Sequence, residues 1–302
     1  LYLEAGERFN SEAYYRLGIE TLDFMLREMR HQDGAFISAL SAVDKQGKEG
    51  GYYLWTKEQL VSALGDEDAT VAQMLWGMTG SSPWDSGYLP LPQAEMTYVK
   101  EGKRLSEVLL RYRQQRTLPR DKKRLSAWNA LALTALSAAH EEDERFVTAG
   151  REVRDYLHNL WDGKRLWRMM DASGKRYLPA GLQDYAQVAH SLLSWERVSG
   201  DTESRKLAAK LVAKAWQYFY SEAGWLPRGD STLIGKRLRL VSGGALASPA
   251  TALFEANLML GEQAPISREA MLAALTADPV TLLNSPLEYG GYLILLQRLS
   301  DE

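Results

Sequence analysis

Three carboxylates stand out in the 302-residue chain as groups that could act on a sugar: Asp44, Glu49 and Asp184. Hydrolysis of a glycosidic bond needs two carboxyl groups flanking it, one as acid and one as base or nucleophile. Asp184 stands at the predicted start of an apolar helix. Asp44 and Glu49 lie in the loop from Ser41 to Trp55, which also carries Gly47, Gly50, Gly51, Tyr52, Tyr53 and Trp55 just before a helix start at Thr56. A glycine-rich loop that brings carboxylates and flat rings to one mouth suits sugar binding. A solvated connection with exposed charges would show the same composition. Trp55, Trp128 and Tyr185 are candidate stacking walls, and Asn129 is placed to fix a hydroxyl. Nine Trp and fifteen Tyr are many for this length, although aromatic residues also fill large cores.

Other chemistries are excluded or unsupported. With no cysteine, disulfides, thiol catalysis and cysteine-bound zinc cannot occur. Neither a phosphate-cradling G-x-x-x-x-G-K-[ST] loop nor a G-x-S-x-G serine elbow is present. The four histidines, His31, His140, His158 and His190, have no ligand spacing with carboxylates. Only His190 falls on an apolar helix, two turns in, where a hydrogen-bonded core role competes with an acid–base one. No metal or cofactor is expected. The net charge of −3 gives no reason to expect a nucleic-acid partner, and no apolar run is long enough to span a bilayer. A soluble protein of cytoplasm or periplasm fits, without a choice between them. Leu1 is not an initiator Met, so the chain is expected to start inside a longer gene product.

The elements that must position these groups are helices of two kinds. Ser11–Arg30, Glu142–Leu160 and Thr202–Tyr220 have one apolar stripe and one charged face, the pattern of helices with a wet side. Leu125–Ala139, Leu182–Val198 and Ala245–Leu260 are apolar nearly all round and must be buried. Shorter helices are predicted at Lys57–Leu64, Thr70–Gly77 and Leu105–Gln115, about ten segments in all.

The two kinds alternate, and the buried helices begin roughly 55 to 65 residues apart, which marks a repeat. After each half-buried helix comes a similar turn: Asp33-Gly34 before Ala35-Phe36-Ile37, Asp162-Gly163 before Leu166-Trp167, and Ala223-Gly224 before Trp225-Leu226. An inner ring of buried helices and an outer ring of half-buried ones satisfies this pattern: an all-α (α/α) barrel, over residues 1–302 as a single domain. A closed six-hairpin barrel needs twelve helices, so the barrel is expected to be incomplete at its N-terminus. Inner helices can aim their N–H-rich starts at one mouth. The polar residues in those first turns are Ser126, Trp128 and Asn129, then Gln183, Asp184 and Tyr185, then Ser248 and Thr251. Helix capping would also put Asp184 and Ser248 where they are. Lys236, Arg237 and Arg239 read as a wet basic loop.

Several of these segments resemble one family, the spermatogenesis-associated YyaL-type proteins. That family joins an N-terminal thioredoxin-like domain to an (α/α) barrel of the six-hairpin glycosidase type. The resemblance rests on Gly34 to Thr56 (Phe36, Ser38, Ala39, Asp44, Gly47, Glu49, Gly50, Tyr53, Trp55 and Thr56), and on Asp121 to Asn129 (Asp121, Lys123, Leu125, Trp128 and Asn129). It continues at Gln183 to Ala186 and at Glu196, Gly200 and Asp201. It implies roles in ligand binding for Tyr53, Asp121 and Ser248 beside the residues above, and a thioredoxin-like domain elsewhere in the same gene product as a partner. The chain departs from the pattern where Ser41, Lys122 and Gln183 replace acidic residues, and Ser248-Pro249-Ala250-Thr251 echoes a Pro-Ser-Gly-Asn segment only faintly. The functions to weigh are a glycosidase-like enzyme with paired carboxylates, a sugar 2-epimerase-like isomerase, a non-catalytic domain that binds a sugar, small molecule or protein, and a scaffold.

Overall fold

Local signals set most helix boundaries. The computed structural model describes residues 1–82, 84–91, 93, 100–171, 173–226 and 237–301, so Lys236 of the basic run lies outside the described residues. The chain folds as two compact units, unit 1 comprising Leu1–Ser38 and Lys122–Glu302, and unit 2 comprising Ala39–Asp121.

Unit 1 opens with α1 (Tyr2–Arg8) and α2 (Glu12–Glu28), the second capped by the Ser11 side chain. Unit 2 holds β1 (Ala39–Leu40), α3 (Lys57–Leu64), α4 (Asp66–Leu75), α5 (Lys100–Arg113) and β2 (Arg120–Asp121). A reciprocal Thr56–Gln59 capping box fixes the start of α3. The unit closes on itself where β1 pairs with β2, Ala39 opposite Asp121. Its core gathers Trp55, Leu60, Ala69, Ala72, Met78, Leu105 and Leu109.

The remainder of unit 1 is α6 (Ser126–Ala138), α7 (Glu144–Asn159), β3 (Trp167–Met170), β4 (Arg176–Pro179), α8 (Leu182–Ser199), α9 (Thr202–Phe219), β5 (Tyr220–Ser221), β6 (Gly224–Trp225), α10 (Pro249–Leu260), α11 (Arg268–Leu275), α12 (Pro279–Asn284) and α13 (Gly290–Asp301). Asp143 caps α7 and Asp201 caps α9. Helix α8 packs side by side with α6 and α10, while α7 backs α6 and α9 backs α8. The three inner helices are buried along most of their length and the outer ones on one face only. The fold class read from sequence holds: the chain is all-α, with the inner and outer layering of an (α/α) barrel.

Some boundaries move. The third inner helix starts at Pro249, not Ala245. Pro249 lacks an N–H and fits the first helical position, with Ser248 as its cap. Leu246, expected in the buried stripe, is an exposed loop residue. Helix α4 begins four residues before Thr70 and α5 five before Leu105. Helices α1, α11, α12 and α13 add to those expected; they are short or amphipathic and carry a weaker periodic signal.

The turn after each outer helix recurs as predicted. Gly34, Gly163 and Gly224 all have positive φ, at 82°, 93° and 110°, a region that favours glycine. Each is followed by a residue paired back to the helix end: Phe36 with Arg30, Leu166 with Trp161, Trp225 with Tyr220. One hydrogen bond is common to all three: Ile37 N to Met29 O at 2.9 Å, Trp167 N to Leu160 O at 3.0 Å, and Leu226 N to Phe219 O at 2.7 Å.

Candidate functional site

In unit 1 the leading ends of the three inner helices meet in one cavity of about 300 Å³, at the small end of the range for ligand pockets of about 300–1,000 Å³. Helix α6 contributes Ala127 and Trp128, α8 contributes Gln183 and Asp184, and α10 contributes Pro249, with Arg168 from β3 and Val241 and Ser242 from the preceding loop. Neither the N-cap residue of α6, Leu125, nor that of α8, Gly181, caps its helix with a side chain. Both helices therefore present first-turn N–H groups and the positive end of their dipoles at this mouth.

Asp184 is the only carboxylate among the described residues lining the cavity. It is 3% exposed. Its Oδ1 accepts the Ser126 hydroxyl at 2.8 Å, and Oδ2 accepts the backbone N–H of Gly181 at 2.9 Å. The Arg168 guanidinium stands 3.9 Å from Oδ2, close enough for charge attraction but too far for a hydrogen bond. Ser126 itself is fully buried. The carboxylate is thus held by one helix end and one neighbouring helix. It both completes the first turn of α8 and faces a ligand-sized space. Trp128, one turn into the otherwise buried α6, is 49% exposed. A half-bare indole at the rim of a polar cavity is a platform on which a flat apolar face can stack.

Two other first-turn residues turn elsewhere. Asn129 accepts the Phe36 N–H at 2.7 Å and donates to Phe36 O at 3.1 Å and Leu125 O at 3.0 Å. Tyr185 is 1% exposed, and its hydroxyl accepts the Leu166 N–H at 2.8 Å; burial pushes its phenol up to about 12. Each pins the turn that follows an outer helix. Ser248 donates to Val241 O at 2.6 Å and caps α10 through Ala250 N.

The remaining candidates belong to unit 2. Asp44 organises a loop turn, its Oδ1 accepting the N–H groups of Gln46 and Lys48, both at 2.9 Å. Glu49 is exposed and its backbone bridges to Val43. Trp55 is buried, with the Arg116 guanidinium 4.1 Å above its ring and Tyr112 beside it. That same guanidinium donates to Gly51, Tyr52 and Leu54 carbonyls. Tyr53 packs edge-on against Tyr52 at 4.9 Å. Asp121 is exposed on β2.

Arg168, Val241 and Ser242 were not among the residues expected at the mouth. Arg168 sits in the apolar stretch Trp167-Arg168-Met169-Met170, where a lone cation just after the glycine turn was the available signal. His190 is half-buried on α8, and desolvation lowers its pKa below the usual 6.5. Among the described residues no group of three His, Asp or Glu could hold a metal ion, and no helix is long and apolar enough to cross a membrane.

No protein-family model matches the chain, and no curated protein matches it in sequence. Solved structures do show likeness. Cellobiose 2-epimerase from Spirochaeta thermophila DSM 6192 is 16% identical over 51% of this chain and 42% of its own, with a TM-score of 0.39. The cellobiose 2-epimerase of Bacillus thermoamylovorans B4167 is 9% identical over 87% of this chain and 69% of its own, TM-score 0.40. A D-mannose isomerase is 14% identical over 89% and 69%, TM-score 0.37. The chain therefore spans about two fifths of the first of these proteins and about two thirds of the other two.

Proposed function

We propose that the mouth of unit 1 binds a hydroxyl-rich ligand of sugar size, as befits the barrel part of a YyaL-type protein. One observation carries this reading: three buried helices deliver their first turns to one small cavity that has a buried carboxylate in its wall and a half-exposed tryptophan at its rim. Sugars combine hydroxyls that need fixed donors and acceptors with apolar ring faces that stack on indole. Asp184, Gln183, Ser242 and Arg168 supply the polar partners, and Trp128 the face.

Binding is favoured over hydrolysis. Glycoside hydrolysis needs two carboxyl groups, and the lining described here supplies one, with both of its oxygens already accepting hydrogen bonds. The resemblance at Gly34–Thr56 and Asp121–Asn129 supports a thioredoxin-like domain of the same gene product as the partner that the bound ligand serves.

The test is calorimetric titration with a panel of mono- and disaccharides, repeated with Trp128→Ala and Asp184→Asn, with product analysis alongside. Removing a charge-assisted acceptor should weaken binding on the order of tenfold or more. If no sugar binds saturably, or if both variants bind as the parent does, the proposal fails. Turnover that survives Asp184→Asn removes Asp184 from any chemistry.

A further inference from the structure

A second, larger cavity of about 540 Å³ lies in unit 1 between the β3–β4 hairpin, the start of α8 and the end of α9. Its walls are mostly apolar, from Leu166, Leu178, Tyr218 and Phe219, yet Arg165 and Arg168 also line it. Arg168 and Gly181 are shared with the smaller cavity, so the two adjoin.

The cationic groups are unusual for a greasy pocket. Among the described residues no carboxylate pairs with Arg165; its guanidinium lies 5.9 Å from the Trp167 ring centre. Asp162, on the same turn, is engaged by the N–H groups of Lys164 and Arg165 and by the Trp167 indole. Arg168 has, among the described residues, only the 3.9 Å approach to Asp184. A guanidinium that faces a cavity without a close anion is a ready fork for a carboxylate or phosphate.

The strand paired with that of Arg168 has its own oddity. Leu178 has a φ of +57° and precedes Pro179, a conformation that strains a non-glycine residue. Its side chain is nonetheless more than half exposed, so core packing does not hold it in place. Asparagine or glycine would relieve the strain; leucine keeps an apolar surface on the cavity.

We propose that this cavity binds a flat apolar molecule carrying an acidic head group, with the ring system against Leu178, Tyr218 and Phe219 and the acid on Arg165 and Arg168. The proposal goes beyond the sugar reading of the neighbouring cavity, with which it shares Arg168. Calorimetry with 2-naphthoate, 2-naphthyl phosphate and the neutral 2-naphthalenemethanol tests it. At least one acid should bind saturably and on the order of tenfold tighter than the alcohol, and whichever acid binds better identifies the head group. Arg165→Gln should weaken acid binding by a similar factor. Leu178→Asn should weaken binding while raising the melting temperature, since asparagine tolerates positive φ; a purely structural role for Leu178 predicts no loss of binding. Absence of saturable acid binding, equal binding of the alcohol, or a loss in Trp128→Ala as large as in Arg165→Gln would each overturn the proposal.

Discussion

Asn129→Ala should destabilise unit 1 by about 3 kcal/mol. The side chain makes three bonds to backbone, two of them to Phe36. Leu125 O loses little, because it also accepts the helical N–H of Asn129 at 3.0 Å. Phe36 loses both partners. In the turn, the bonds His31 N to Ala35 O and Ile37 N to Met29 O flank the Arg30–Phe36 pair, so Phe36 N–H and C=O point away from the helix end and toward α6. Phe36 is 4% exposed, so water does not replace Asn129. Stranding a buried donor and a buried acceptor costs ~1–3 kcal/mol each, and alanine returns only ~0.5 kcal/mol of helix propensity. The net corresponds to a melting-temperature loss of roughly 6–12 °C for a domain of this size. Tyr185→Phe strands a single group, Leu166 N–H, and should cost about half as much. Thermal and urea unfolding followed by circular dichroism measures both. A loss under ~2 °C in Asn129→Ala, or a loss no larger than that of Tyr185→Phe, would refute the reasoning.

Three further outcomes follow from packing and titration. Gly150→Ala would normally favour helix α7 by ~1 kcal/mol, but an added Cβ overlaps the ring of buried Trp195; overpacking of ~1–3 kcal/mol should win, and the melting temperature should fall rather than rise. Burial lowers the pKa of both His158 and His190 below 6.5. The unfolded chain then binds protons that the folded chain refuses, so stability is full above about pH 6.5 and drains as pH falls through the lowered folded values; the urea midpoint should be lower at pH 5.5 than at pH 7.5, with a smaller difference in His190→Gln. Ser126→Ala leaves the Asp184 Oδ1 without its 2.8 Å donor and should cost ~1–3 kcal/mol, measurable as a shift in urea midpoint at constant slope.

The inner helices were legible because apolar residues fall on nearly every face of them, and the turns because glycine recurs at the same offset. The two-unit division was not, because no composition change or proline-rich linker marks it. Unit 2 leaves and re-enters through the antiparallel pair Ala39–Asp121, and two residues per strand carry no readable alternation. The candidate site was half legible for a geometric reason. Successive helix residues are about 100° apart, so a list of first-turn polar residues mixes two faces. Counting from the first helical residue, Trp128 and Asp184 are both third, and both line the cavity; Asn129 and Tyr185 are both fourth, and both pin the preceding turn. In α10 the fourth residue is Ala252, which has no side-chain hydrogen bond to give. There the corresponding turn residue, Trp225, instead exchanges backbone hydrogen bonds with Leu238, at 2.7 and 2.9 Å. A one-residue step along the helix therefore separates what faces the smaller cavity from what holds the repeat together, and it does so at the same step in both helices where a side chain can do the holding.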